Sequence, residues 1–489
     1  MKHISYSHSR WTRAFILLLS GTLYLTSCQK KALELTPVTS ISEADAYSTP
    51  EKILGQVNGL YDQLSDPSFY GGRYLVFNEQ RGDEFSQNDG NNSTGANVWN
   101  QSISGSGDFV NAVWNAAYRT INSANILIER LQTQNVVSEE SKKNYIAEAK
   151  FVRAFAYFSL VQTYAQPYHA DPQSLALPLR LRAETAGANN DLAFSTVAQV
   201  YTQIIQDLDA AEQDLPVAYA TALSNVSRAH RAAAIALKTR VYLTQSNWDQ
   251  VIAEASKLVP TTPPFQYDGN GITHGLESSL ATLFSGSYTG KEALFSIPFL
   301  IASEAPGQQA ALAYNYLSPV LYLNPQGIIA NPVLASPVST DGRKSLIITN
   351  SNGQQLLKKF AHNGSPYTDY IPLIRYAEVL LNYAEAAAQK NDISKATALL
   401  NAVRHRADPT FVFTIGTGNQ EELVETIFTE KRIELLGEGF RTHELFRKVL
   451  PLPAKQGNAG TAPEIQPTAS NYVWPIPSGE LAYNKLAPR

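Results

Sequence analysis

VYLTQSNWDQVIAEASKLV, residues 241–259, places helical patterns on either side of a polar break at Gln245-Ser246-Asn247. The first pattern runs from about Arg228 to Leu243 and the second from Asp249 to Val259. A second stretch, EAAAQKNDISKATALLNAV at 385–403, has the same grammar with its turn at Asn391, so Asn247 and Asn391 align. Each unit is a helix, a polar turn, and a helix whose small and aliphatic residues face back. Ala253, Ala255, Ala396 and Ala398 leave room for close helix approach.

This is the grammar of a tetratricopeptide pair. One pair cannot bury its own apolar face, so such pairs stack and are expected in multiples. Further helical segments are predicted at Lys52–Leu64, Phe109–Leu131, Glu139–Tyr164, Val197–Leu215, Leu373–Gln389, Ile393–Arg406 and Glu421–Leu436. Phe151, Phe155 and Phe158 keep one face of the 139–164 segment apolar and are assigned to the core. Pro167 and Pro216 stop two of these runs. Ser40-Ile41-Ser42-Glu43 has capping-box spacing. The units are separated by long non-helical inserts. Residues 65–107, rich in Asn, Ser and Gly, read as loops, and residues 260–368 as an irregular insertion with a few short strands. The end, 474–489, reads as extended. The expected fold is mainly α: tetratricopeptide-like helix pairs form a scaffold with loop-rich insertions. Its domain is expected over 40–489, with helical parts at 40–259 and 369–489.

The chain contains one cysteine in 489 residues, Cys28, so no internal disulfide can form. None of the eight histidines pairs with another at i, i+3 or i, i+4, which leaves no helical metal motif. Net charge is −4, with no basic run to suit nucleic acid. Residues 1–27 have a polar start with Arg10 and Arg13, then an apolar run too short to span a bilayer comfortably. Leu25-Thr26-Ser27-Cys28 resembles a lipobox, which implies cleavage before Cys28 and acylation of its thiol. Residues 28–39 then form a polar tether.

The helical blocks carry a family resemblance. AYRTINSANILIERL (117–131), EAKFVRAFAYFSLVQTYAQPY (148–168), STVAQVYTQIIQDLDAAEQDLP (195–216) and SRAHRAAAIALKTRVYLTQSNWDQVI (227–252) resemble, in order, blocks of the SusD/RagB family of outer-membrane lipoproteins. IRYAEVLLNYAEA (374–386), LNAVRHRA (400–407), IFTEKRIELLGEGFRTHELFRK (427–448) and VWPIPSGE (473–480) resemble its C-terminal blocks. The resemblance implies a non-enzymatic, cell-surface lipoprotein of the outer membrane, anchored by lipid at Cys28. It implies oligosaccharide capture, with the protein acting as a lid on a SusC-like TonB-dependent barrel, and it implies no cofactor. A peptide-binding lid of the same transporter type is the alternative, and a surface glycoside hydrolase ranks below both.

The family's ligand sites lie on divergent loops, so candidate contacts come from chemistry. Sugar rings call for flat aromatics and planar polar side chains. Arg81, Asp83, Trp99 and Asn100 offer that mix in the first loop region, and Tyr288, Tyr314, Tyr316 and Tyr322 in the insertion. Arg375, Glu378, Glu385, Glu430, Arg432, Glu434, Glu438 and Arg441 are read as charges that lock helix register rather than as catalytic groups.

Overall fold

A computed structural model describes residues 43–187, 190–285, 288–411, 413 and 419–488. The leader 1–27, Cys28, the tether 28–39 and the Ser40–Ser42 part of the capping-box motif lie outside the described residues. The chain divides into two units, Met1–Ile53 and Leu54–Arg489. In the first, helix Glu43–Ala46 is followed by an ion pair of 2.6 Å between Lys52 and Asp45. Apart from the first residues of helix Pro50–Leu64, the elements below lie in the second.

The two look-alike stretches form helix pairs that pack on each other. Helix Arg231–Thr244 turns into Trp248–Ala255, and Tyr376–Gln389 turns into Ile393–Ala407. Leu243, Val251 and Ala386 share one apolar cluster across the pairs. The turns are alike residue by residue. Ser246 and Asn391 take positive φ, 50° and 62°. Asn247 and Asp392 follow with near-identical backbone (φ −85°, ψ 73°; φ −86°, ψ 71°), and each caps the next helix with its side chain. Asn391 therefore corresponds to Ser246 and not to Asn247, a one-residue correction to the alignment read from sequence. The backbone sets the register here, because a left-handed residue must precede the cap. Of the four alanines expected between helices, Ala255 and Ala396 are fully buried, while Ala253 is exposed.

Upstream, helices Asp108–Thr133 and Glu139–Tyr164 pack as another pair, with Val197–Asp214 against the second. Ser138 caps Glu139–Tyr164 through the Ser141 amide at 3.1 Å. Thr196 and Gln199 make a full capping box on Val197–Asp214. Phe151, Phe155 and Phe158 lie in the core. Helix Gln420–Glu434 closes against Tyr376–Gln389. The described strands form short two-stranded antiparallel ladders, with no closed sheet.

Three segments depart from expectation, one of them the end read as extended, where Ser478–Tyr483 is a helix. Residues 371–375 form a strand paired with Ala293–Ile297, so the predicted 373–389 helix starts at Tyr376. Within 65–107, Arg73–Arg81 is a helix in which Tyr74 through Arg81 are all buried. A helix enclosed on every side has no solvent face, hence no amphipathic period to read. Gly72 before it has φ 141°, and a Cβ there would come within 1.9 Å of the Ala310 carbonyl oxygen.

Four of the register charges, Arg375, Glu430, Glu434 and Glu438, join a buried lattice, while Glu378 pairs with Arg240, and Arg432 and Arg441 pair with Asp83 and Glu84. Arg343, Lys359, Arg375, Arg404 and Arg406 face Glu292, Asp341, Glu430, Glu434 and Glu438, and every one of these side chains is 4% exposed or less. Arg375 reaches Glu292 at 2.5 Å, Glu438 at 2.7 Å and Glu434 at 3.0 Å. Burial alone would raise the Glu434 carboxyl, but Arg406, Arg375 and Arg343 hold it well below the usual carboxylate range. Glu385 sits in a separate group with Arg447 (2.7 Å) and Lys431 (2.9 Å), which bring its pKa down to about 2 against the cost of burial.

A second buried titratable pair carries a pH prediction. His230 and His274 meet Nε2 to Nε2 at 3.2 Å, 0% and 2% exposed. Burial lowers His230 to about 3, with His274 adding to the effect, and burial lowers His274 to about 4. The unfolded chain protonates both near the ordinary value of about 6.5. Between those values the unfolded state binds more protons, so this stability is full above about pH 6.5 and declines as pH falls toward 4. The slope is about 1.4 kcal/mol per pH unit for each histidine. Urea unfolding at pH 7 and pH 5 should show a smaller loss in His274→Gln than in the native chain, and equal losses would contradict the assignment.

Candidate ligand-binding surface

The structure places four of the eight expected contact residues inside the scaffold. Trp99 is 0% exposed, and its Nε1–H donates to the Phe85 carbonyl at 3.0 Å. Arg81 is buried and donates to the Gln101 side chain (3.0 Å) and to the backbone carbonyls of Asn471 and Tyr472 (2.8 and 3.0 Å). Asp83 is spent on Arg441 at 2.5 Å, with Arg432 at 3.5 Å. Tyr316 is buried, stacked on Phe85 with ring centroids 4.9 Å apart, and its hydroxyl donates to the Gly437 carbonyl at 3.0 Å. Protein contacts take up the rings of Trp99 and Tyr316, the Asp83 carboxylate and two of the three Arg81 guanidinium nitrogens, which argues against the expected ligand contacts at these four positions.

The other four remain accessible. Asn100 is exposed, with its side-chain carbonyl accepting from Ser102. Tyr288 is half-buried beside Tyr370, ring centroids 6.1 Å apart. Tyr314 is half-buried beside Tyr367 at 6.3 Å, on segments also joined by the Asn363–Ser318 hydrogen bond of 2.7 Å. Tyr322 is half-buried and has the richest surroundings.

Three ladders build the Tyr322 surface. Strand Phe85–Gln87 pairs with Leu321–Leu323, setting Ser86 opposite Tyr322. The hairpin of strands Lys455–Gly457 and Gly460–Ala462 lies against the first of these, and strand Gln355–Leu357, from the hairpin with Ile347–Thr349, lies against the second. The close approach depends on Gly457, where a Cβ would come within 2.6 Å of the Gln87 carbonyl oxygen. Four side chains meet at the strand ends. Tyr322 donates to Asn458 Oδ1 at 3.4 Å and accepts from the Asn458 amide at 3.1 Å. Asn458 and Gln354 both donate to Asn88 Oδ1, at 2.8 and 3.0 Å. That use of its carbonyl leaves the Asn88 NH2 available as a donor. The result is a half-exposed phenol ring edged by planar amides and carrying no formal charge.

Asn88, Gln354 and Asn458 were missed in the sequence reading. A signal for two of them exists. Asn352-Gly353 and Asn458-Ala459-Gly460 are turn sequences between short strand-like runs, which read as hairpin tips. Their convergence on Tyr322 is tertiary and has no local signature. Among the described residues, no cluster of three or more His, Cys, Asp or Glu side chains is arranged to hold a metal ion.

A stack of helix pairs bearing its accessible polar chemistry on inserted loops and short ladders defines a helical-repeat scaffold protein. Comparison narrows the class. A SusD-like family model described as "Starch-binding associating with outer membrane" matches residues 33–243, and the SusD family model matches 338–486. A crystal structure of a SusD superfamily protein from Bacteroides fragilis is 30% identical, with a TM-score of 0.80 over 91% of this chain and 100% of its own. The chain belongs to the SusD family. SusD-like protein P2 of Formosa agariphila is 27% identical over 96% of this chain and 97% of its own length. A structure described as a laminarin-binding SusD-like protein shares the fold at 20% identity, with a TM-score of 0.69 over 90% of this chain and 99% of its own.

Proposed function

We propose that the protein is a cell-surface lipoprotein that captures uncharged oligosaccharides on the Tyr322 surface and delivers them, as a lid, to a SusC-like TonB-dependent barrel in the outer membrane. One observation carries the ligand class: a half-exposed tyrosine ring edged by the amides of Asn88, Gln354 and Asn458, with no charged side chain among the four. The ring offers an apolar face to a sugar, and the amides match its hydroxyls. Asn100, Tyr288 and Tyr314 are also accessible. The laminarin-binding relative and the starch-binding description of the matched family model support a glycan over other ligands. The same relatives support binding without cleavage, and the register carboxylates Glu430, Glu434 and Glu385 are spent on cations.

The test is calorimetry with protein lacking residues 1–28, using neutral and uronic-acid oligosaccharides. Neutral glycans should bind and remain intact. Tyr322→Ala should weaken binding by about 1 kcal/mol, roughly fivefold, and Asn88→Ala by a similar amount. Heat from peptides alone, or equal affinity for acidic glycans, would reject the neutral-glycan assignment.

Membrane attachment would come from acylation at Cys28, with residues 29–39 as the leash. Several acyl chains give stable anchoring, and a short leash holds the lid at high effective concentration over its barrel. Among the described residues, no helix is long and apolar enough to cross a membrane. Cys28→Ala should move the protein out of the membrane fraction, and continued sedimentation with membranes would count against the lipid anchor.

A further inference from the structure

A second cleft, of about 590 Å³, has chemistry unlike the Tyr322 surface. Its floor is the end of strand Ala293–Ile297, where Phe295, Ser296 and Ile297 are all buried. One wall is the Leu54–Ser65 stretch and the other is helix Ala222–Ser227 with Arg228. Two features stand out. Beyond the floor the chain turns outward and exposes two consecutive aliphatic side chains, Leu300 at 47% and Ile301 at 57%. The formal charges at the mouth are unbalanced. Arg228 is committed to the buried Glu148 through two bonds of 2.9 and 2.5 Å, while Asp62 and Glu304 are exposed and make no ion pair among the described residues, Glu304 accepting only from the Leu300 amide at 3.1 Å.

These features exclude some occupants. Sugar recognition would want an array of planar amides around an open ring. Here Asn58 is the single amide, and the Tyr61 hydroxyl is already bonded to Glu148 at 2.5 Å. A fatty acid or phospholipid headgroup would bring negative charge to an acidic rim. A volume of this size holds several side chains. The apolar surface also continues outside the cleft, as it does at protein contacts.

We propose that this cleft docks a protein segment in which an apolar pair is flanked by lysine or arginine. The apolar side chains fill the space over Phe295 and Ile297 and extend onto Leu300 and Ile301. The flanking cations meet Asp62 and Glu304. The site is independent of the glycan assignment, since it shares no residue with the Tyr322 surface.

The test uses fluorescein-labelled Lys-Lys-Leu-Phe-Lys-Lys and Glu-Glu-Leu-Phe-Glu-Glu peptides with the full chain, read by anisotropy at low salt. The basic probe should bind at least tenfold more tightly than the acidic one. The double variant Asp62→Lys/Glu304→Lys, altered only at exposed positions, should lose at least fivefold for the basic probe. Leu300→Ser/Ile301→Ser should weaken it by a similar factor, and glycan binding should stay unchanged in both variants. Equal binding of the two probes, no binding of either, or insensitivity to both variants would overturn the proposal. So would displacement of the basic probe by a neutral oligosaccharide, which would make the cleft a sugar subsite.

Discussion

Arg375→Ala should lower the unfolding free energy by about 3–5 kcal/mol, measured by urea denaturation. The guanidinium touches Glu292, Glu434 and Glu438 at once, and its own side chain is 1% exposed. Removing it leaves three carboxylates short of a cation where water cannot reach them. The penalty is that stranded charge, not the lost attraction alone. Arg375→Lys keeps the charge but not the planar fork, so it should recover only part of the loss. A surface control sets the scale: Arg119 is 64% exposed and pairs with Asp66 at 2.6 Å, and Arg119→Ala should cost less than about 1 kcal/mol. If the two alanine variants were equally stable, the lattice would not be holding the fold.

Trp99→Ala should cost about 3–5 kcal/mol in stability through the void it leaves. The indole is fully buried, donates to the Phe85 carbonyl, and lies 5.4 Å from the buried Lys455 ammonium. Lys455 in turn donates to the carbonyls of Gln80 and Gly82. Trp99→Phe fills most of the space but orphans the Phe85 carbonyl, so it should cost about 1–2 kcal/mol. Glycan affinity of the folded fraction should be nearly unchanged in both. A variant that kept its stability and lost sugar binding would return Trp99 to the ligand site.

The helical scaffold was legible because its signals are local. The segment predicted at Glu139–Tyr164 has those same bounds in the structure, since Ser138 caps one end and Pro167 stands beyond the other. The Arg73–Arg81 helix was not legible, because burial on all sides erases the period that marks a helix. The register of the two similar turns was misread by one residue, because Ser246 and Asn391 adopt left-handed backbone without glycine to announce it. Among the site residues, tyrosines and a tryptophan look alike in a loop-rich sequence. Phe85 stacks on one tyrosine, Tyr316, and leaves another, Tyr322, at the surface six residues later. That difference follows from strand pairing, which brings Leu321–Leu323 against Phe85–Gln87 from more than two hundred residues away.

The Tyr322 surface has an evolutionary consequence. Asn88, Gln354 and Asn458 come from three separate parts of the chain, and Gln354 and Asn458 sit at hairpin turns that carry none of the lattice charges. Substitutions in those turns can vary the hydrogen-bonding groups offered to a ligand while helix packing stays fixed. New specificities can then arise through a handful of residues on an inherited frame.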